Sequence, residues 1–222
     1  MKDKVVILTY GGTGRELGEI AEEQYTVIGF LDDVRHCEEV LGKLEDVSNF
    51  YGKVKFISGL GSYRSMMQRR KKLEKMELSS FINFISINAK IYKTATLGQG
   101  IVVFPQTIIS SNAKIGDHVF IYHNCVISHD VIVKNYSMIS NSVCVSGGVK
   151  IGENCYIGAG STIIEGISIG DNCIIAAGTT VLNDVEDNKI YISKYKIRDN
   201  KYINEIIESS RCLKLQINTR LD

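Results

Sequence analysis

From residue 91 to residue 186 the chain repeats a six-residue unit sixteen times without an insertion (16 × 6 = 96 residues). The first position of the unit is aliphatic every time, from Ile91, Leu97 and Val103 through Ile127 to Ile175 and Val181. The fifth holds only small or β-branched side chains, among them Ala95, Cys125, Val131, Ser137 and Thr179. The fourth is Gly or Asn nine times, the residue types that most readily take positive φ. Two inward positions and one left-handed turn per hexad describe a parallel β-helix with three short faces per coil, so that eighteen residues make a rung. Rungs stack at about the inter-strand spacing of ~4.8 Å. Residues eighteen apart therefore lie nearly above one another.

This hexapeptide array resembles the left-handed β-helix acyltransferases over the whole of 91–186. The resemblance implies the left hand of the coil, because the usual crossover rule would favour the right. The same prism serves acetyl transfer, succinyl transfer, zinc-dependent carbonic anhydrases and purely structural roles, so the repeat alone does not name the chemistry.

A length of 222 residues suits two compact units. A net charge of +1 gives no electrostatic reason to expect nucleic acid. The run Arg69-Arg70-Lys71-Lys72 reads as the solvated face of a helix. No apolar stretch reaches the ~18 residues of a membrane helix, and the first four residues, Met-Lys-Asp-Lys, lead straight into a strand rather than a signal peptide. A cytoplasmic location is expected, without membrane attachment. Six cysteines lack metal-ligand spacing, and Cys125, Cys155 and Cys173 fall on inward positions as small hydrophobes.

Residues 1–84 follow a different pattern. Val5 to Leu8 reads as a buried strand, Gly11 to Gly14 as a turn, Arg15 to Gln24 as a helix and Thr26 to Phe30 as a second strand ending at Asp32-Asp33. A third strand is expected over Lys53 to Ile57, then Gly59-Leu60-Gly61 and a helix to about Met76. The pattern predicts a small Rossmann-like βαβ domain with ligand-side loops at the strand ends. A Gly-rich turn before a helix suits a phosphate or pyrophosphate. The dinucleotide fingerprint fails because Leu17 stands where Gly or Ala is needed, which argues against a nicotinamide cofactor.

Joined to a hexapeptide coil, this half is similar to the sugar acetyltransferases of the sialic-acid O-acetyltransferase and nucleotide-amino-sugar N-acetyltransferase type. The resemblance implies nucleotide-sugar binding by Thr13, Gly14 and Arg15, by Asp32 and Asp33, and by Gly59, Leu60 and Gly61. The family often has His where this chain has Arg15, and a guanidinium pairs with phosphate at least as well. Of the four histidines, His129 alone lies in a stretch, Ile127-Ser128-His129-Asp130, that matches the family's His–acid pair. A corner histidine is reachable by substrate, neutral imidazole suits a general base, and Asp130 would orient it. Asp130 also occupies the turn position, where positive φ is wanted in any case. The third position of the hexad is mostly polar, which makes Gly147, Ala159 and Ala177 stand out as a path for a pantetheine arm, with Gly147 directly beside His129. The resemblance adds Met138 to these acetyl-CoA contacts, at a position usually held by a second His. A zinc site would need three converging histidines, which the spacing of His118, His123 and His129 does not offer.

The expected organisation is thus a nucleotide-sugar-binding domain over 1–84, a left-handed β-helix over 85–187 and a tail over 188–222 that caps the open rung. The family implies a homotrimer with active sites between neighbouring prisms. The expected activity is acetyl-CoA-dependent N-acetylation of a nucleotide-linked amino sugar for surface-glycan biosynthesis, by direct transfer and without a metal. O-acetylation of a sialic acid or of a capsule or lipopolysaccharide sugar is the alternative, and a non-catalytic nucleotide-sugar-binding scaffold is the alternative from outside enzymology.

Overall fold

In the computed structural model, which describes residues 2–61 and 66–192, the two predicted halves take different architectures. The first is a four-stranded parallel sheet of order β3-β2-β1-β4, made of β1 (Lys4–Leu8), β2 (Thr26–Leu31), β3 (Val40–Gly42) and β4 (Lys55–Ser58). Strand β3 is absent from the sequence reading; it is three residues long and follows a charged stretch without alternation. Helix α1 (Gly12–Ala21) starts three residues earlier than expected and takes in the glycines assigned to the turn. The turn is instead Thr9 to Gly11, with Thr9 at φ 80°. Gly14, inside the helix, has no room for a side chain, because a Cβ there would clash with the Thr9 carbonyl. Helix α2 (Met66–Leu73) follows the last strand.

The second half is a left-handed parallel β-helix of eighteen two-residue strands, from Phe84–Ile85 to Ile190–Tyr191. They form three parallel sheets of five, seven and six strands, and residues eighteen apart pair, as Phe120 does with Val102 and with Met138. The coil starts at Phe84 and runs past 187, because Ile190 pairs with Ile174 on a final turn two residues short. The stretch of the expected tail from 193 onward lies outside the described residues.

Hexad chemistry accounts for each contact. First- and fifth-position residues such as Ile109, Ile127, Val131 and Ile157 are fully buried in one stacked core, each worth about 1.5–3 kcal/mol. Buried fifth-position hydroxyls bond to carbonyls of the next face, as Ser137 Oγ does to Gly152 O at 2.7 Å. From Gly100 to Gly178 every fourth-position residue turns left-handed, Gln106, His118 and Tyr136 as well as Asn and Gly. Burial pushes the Cys125 thiol up to about 11 and the Cys155 thiol to about 12, so both act as packing groups.

The outer face of the seven-stranded sheet is apolar in its early rungs, and the amino-terminal domain covers it. Val102, Phe104, Phe120 and Met138 join Val5, Ile7, Leu17, Phe30 and Ile57 in one buried cluster. Arg69 of α2 fastens the other edge and is 2% exposed. Its Nη1 donates to Tyr136 O at 3.0 Å and its Nη2 to His118 O at 2.6 Å. The basic run is therefore not a solvated face at this residue, because two coil carbonyls need its donors. Burial lowers the Arg69 pKa to about 10, which leaves it charged at neutral pH.

Candidate active site

His129 stands on an outer corner with its side chain 61% exposed. The left-handed turn at Asp130, φ 59°, folds that carboxylate back, and Asp130 Oδ2 lies 2.8 Å from His129 Nδ1. Asn112, one rung below, donates its Nδ2 to Asp130 Oδ1 at 3.1 Å. The hydrogen bonds from His129 and then Asn112 hold the Asp130 pKa below the usual carboxylate value. With Nδ1 turned to Asp130, Nε2 is the free ring nitrogen, the arrangement a general base requires. Gly147 lies directly behind the ring: a Cβ there would sit 2.6 Å from Cε1 and 2.7 Å from Nε2. Its glycine character makes room for the imidazole, so Gly147 acts on His129 in addition to any contact with a thioester.

The three amino-terminal loops converge beside the coil. Tyr122, which the sequence reading passed over, ties two of them: its hydroxyl donates to Gly61 O at 2.6 Å and lies 3.2 Å from Thr13 Oγ1. Gly59 fits against Leu8 O and Gly14 Cα, and Gly61 against Tyr122 and Thr13. Leu60 is half-buried against the second amino-terminal core cluster. Arg15 is exposed, its guanidinium 5.6 Å from the centre of the Tyr10 ring and at the edge of a cleft of about 310 Å³.

Asp32 departs from the expected role. Its buried carboxylate accepts from Thr9 Oγ1 at 2.9 Å and from the backbone N–H groups of Tyr10, Val34 and Arg35 at 2.7–2.8 Å. Burial opposes ionisation, but these bonds overcome it and bring the pKa down to about 2. All four acceptor sites serve the protein, so Asp32 shapes the loop rather than offering itself to a sugar. Asp33 accepts from Leu44 N at 2.9 Å and from Lys72 Nζ at 2.7 Å, both bonds lowering its pKa against the opposing effect of burial, and stays partly exposed.

Met138 is also corrected. It is 0% exposed, on the outward position of the sheet that the amino-terminal domain covers, and cannot touch acetyl-CoA. Ala159 and Ala177 stack as expected, Gly178 N donating to Ala159 O at 2.8 Å. They share the corner of His123 and Asn141, however, and not that of His129, because 159 − 129 = 30 is no multiple of eighteen. The six-stranded sheet, which contains Val126–Ile127, separates the two corners. His118 is buried between Phe81 and Tyr136, with its pKa lowered to about 4 by burial and then by Arg69. Among the described residues no group of three or more His, Cys, Asp or Glu could hold a metal ion, and no helix is long and apolar enough to cross a membrane.

Comparison with known proteins agrees with this geometry. The family model described as bacterial transferase hexapeptide matches residues 112–147, and the hexapeptide repeat of succinyl-transferase matches 148–183. No curated protein sequence matches the chain. Among solved structures, a mutant GDP-perosamine N-acetyl transferase from Caulobacter crescentus, in complex with CoA and GDP-perosamine, is 25% identical. The likeness covers 86% of this chain and 93% of that one, with a TM-score of 0.78. The acetyltransferase domain of PglB from Neisseria gonorrhoeae, in complex with acetyl coenzyme A, shares the fold at 23% identity and TM-score 0.78, over 86% and 96% of the two chains. Repeat, coil and likeness together bear out the resemblance to the hexapeptide-repeat sugar acetyltransferases and support an acyltransferase.

Proposed function

We propose that the protein transfers an acetyl group from acetyl-CoA to the amine of a nucleotide-linked amino sugar, in the cytoplasm and for surface-glycan assembly. The observation that carries this reading is the exposed His129–Asp130 pair with its free Nε2, on a coil joined to a domain whose loops converge beside it. The complex of CoA and GDP-perosamine with the Caulobacter enzyme supports the same pair of substrates. Residues 1–84 would bind the nucleotide sugar through Thr13, Gly14, Arg15 and the Gly59–Gly61 loop, with Asp33 at the rim. Residues 85–187 would carry the transfer, with Ile190–Tyr191 on the last described turn of the coil.

In the transfer step His129 Nε2 takes a proton from the attacking amine as nitrogen bonds to the thioester carbonyl carbon. Asp130 stabilises the imidazolium so formed. When the C–S bond breaks, His129 returns the proton to the departing sulfur, giving the amide and free CoA. Ser128 is not bonded to His129 as a nucleophile would be to its base, so transfer is direct.

The face between the two corners supports a trimer. Ile108 and Val126 of the six-stranded sheet, and Tyr92, Ile164 and Leu182, each one residue past one of its strands, are at least 36% exposed. Packing this face around a three-fold axis buries them and brings the His129 corner of one copy to the Ala159–Ala177 ridge of the next, which reunites base and pantetheine path. A thermal-shift screen of UDP-, GDP-, dTDP- and CMP-linked amino sugars, with and without acetyl-CoA, tests the reading. A shift by acetyl-CoA and by one nucleotide sugar is expected; no shift with any of them overturns it.

A further inference from the structure

His123 is a second histidine with a carboxylate beside it, and the transfer step above does not use it. It stands on the ridge of Asn141, Ala159 and Ala177. Its ring packs on Phe104 at 4.6 Å between centroids, its Nδ1 lies 3.2 Å from Asn141 Oδ1, and its Nε2 lies 3.5 Å from Glu16 Oε1. With Nδ1–H donating to Asn141, Nε2 presents a lone pair next to a carboxylate oxygen. Two acceptors then stand side by side with no donor between them, which is a receptor for an ammonium or a hydroxyl. Glu16 follows Arg15 on the solvent side of α1, so the pair bridges the nucleotide-sugar loops and the coil.

Height along the coil gives this pair its partner. One hexad climbs about a third of a rung, roughly 1.6 Å, and His129 follows His123 by one hexad on the opposite edge of the same exposed sheet. In a closed three-fold ring the rungs of all copies are level. The trimer proposed above therefore sets His123 of one copy level with His129 of the next, and Asn141 level with Gly147. We infer that His123 and Glu16 form the acceptor-sugar subsite, taking an N–H or O–H donor of the amino sugar and presenting its amine to His129 of the neighbouring copy. The inference rests on the trimeric acetyltransferase reading and deepens it.

The test uses acetyl-CoA and the nucleotide sugar selected by the screen. His123→Ala should lower kcat/KM for the acceptor about 10- to 100-fold while leaving KM for acetyl-CoA unchanged. Glu16→Ala, an exposed change that spares the fold, should do the same, and the double variant should lose little more than the worse single one. Mixing His123→Ala subunits with His129→Ala subunits makes one intact pair in every mixed ring. Random 1:1 mixing puts three quarters of rings in that state with one site of three restored, so about a quarter of wild-type turnover should return. A folded, trimeric His123→Ala enzyme with wild-type kcat/KM, or a loss that mixing does not restore, overturns the subsite. A monomeric wild type by sedimentation, or an active His129→Ala, would instead defeat the reading beneath it.

Discussion

Replacing Gly147 with alanine separates catalytic geometry from stability. The added Cβ would stand 2.6 Å from His129 Cε1, where carbon atoms prefer about 3.5–4.0 Å, so the ring must move by about 1 Å. Gly147 is not among the residues with positive φ, so the alanine backbone is unstrained. The ring it displaces is largely in solvent, and stability should change by no more than about 0.5 kcal/mol. A shift of ~1 Å in the base, with loosening of its 2.8 Å bond to Asp130, should cost about 10²-fold in kcat/KM. The assay is release of free CoA thiol against acceptor concentration, with thermal melting alongside. A Gly147→Ala enzyme within twofold of wild-type kcat/KM would refute the assignment of the ring over this glycine as the working position of the base.

Three further outcomes follow from the buried polar groups. Arg69→Ala leaves the carbonyls of His118 and Tyr136 without donors and opens a cavity, and should cost about 3–5 kcal/mol in urea unfolding. His118 has a folded pKa of about 4 against an ordinary 6.5, so the unfolded chain binds the proton first as pH falls. Stability should be undiminished above pH 6.5 and decline by about 3 kcal/mol down to pH 4; His118→Asn should flatten that limb. Asp32, at about 2 against 3.8, should contribute stability above pH 3.8 that is lost as pH falls towards 2, about 2 kcal/mol in all, and Asp32→Asn should remove this dependence.

The coil was legible because its stabilising contacts are periodic: an aliphatic residue every six and a turn-tolerant residue three later specify every rung. The His129–Asp130 pair was legible because both partners are adjacent in sequence. What escaped was non-local. Arg69 looked like a surface cation because its partners are carbonyls at 118 and 136, which no helical pattern reveals. Met138 was misplaced because nothing in its own hexad says that another domain covers that face. Tyr122 and the Glu16–His123 contact join segments over a hundred residues apart. Division by eighteen alone puts Ala159 and His129 on different corners of one prism.

The central claim is that His129 removes the acceptor proton in a direct acetyl transfer. Its most direct test is the turnover of His129→Ala, measured together with the affinities of acetyl-CoA and the nucleotide sugar by calorimetry. The account predicts a fall in kcat of about 10²–10⁴-fold with both affinities within a few-fold of wild type. Full turnover in the variant would contradict it.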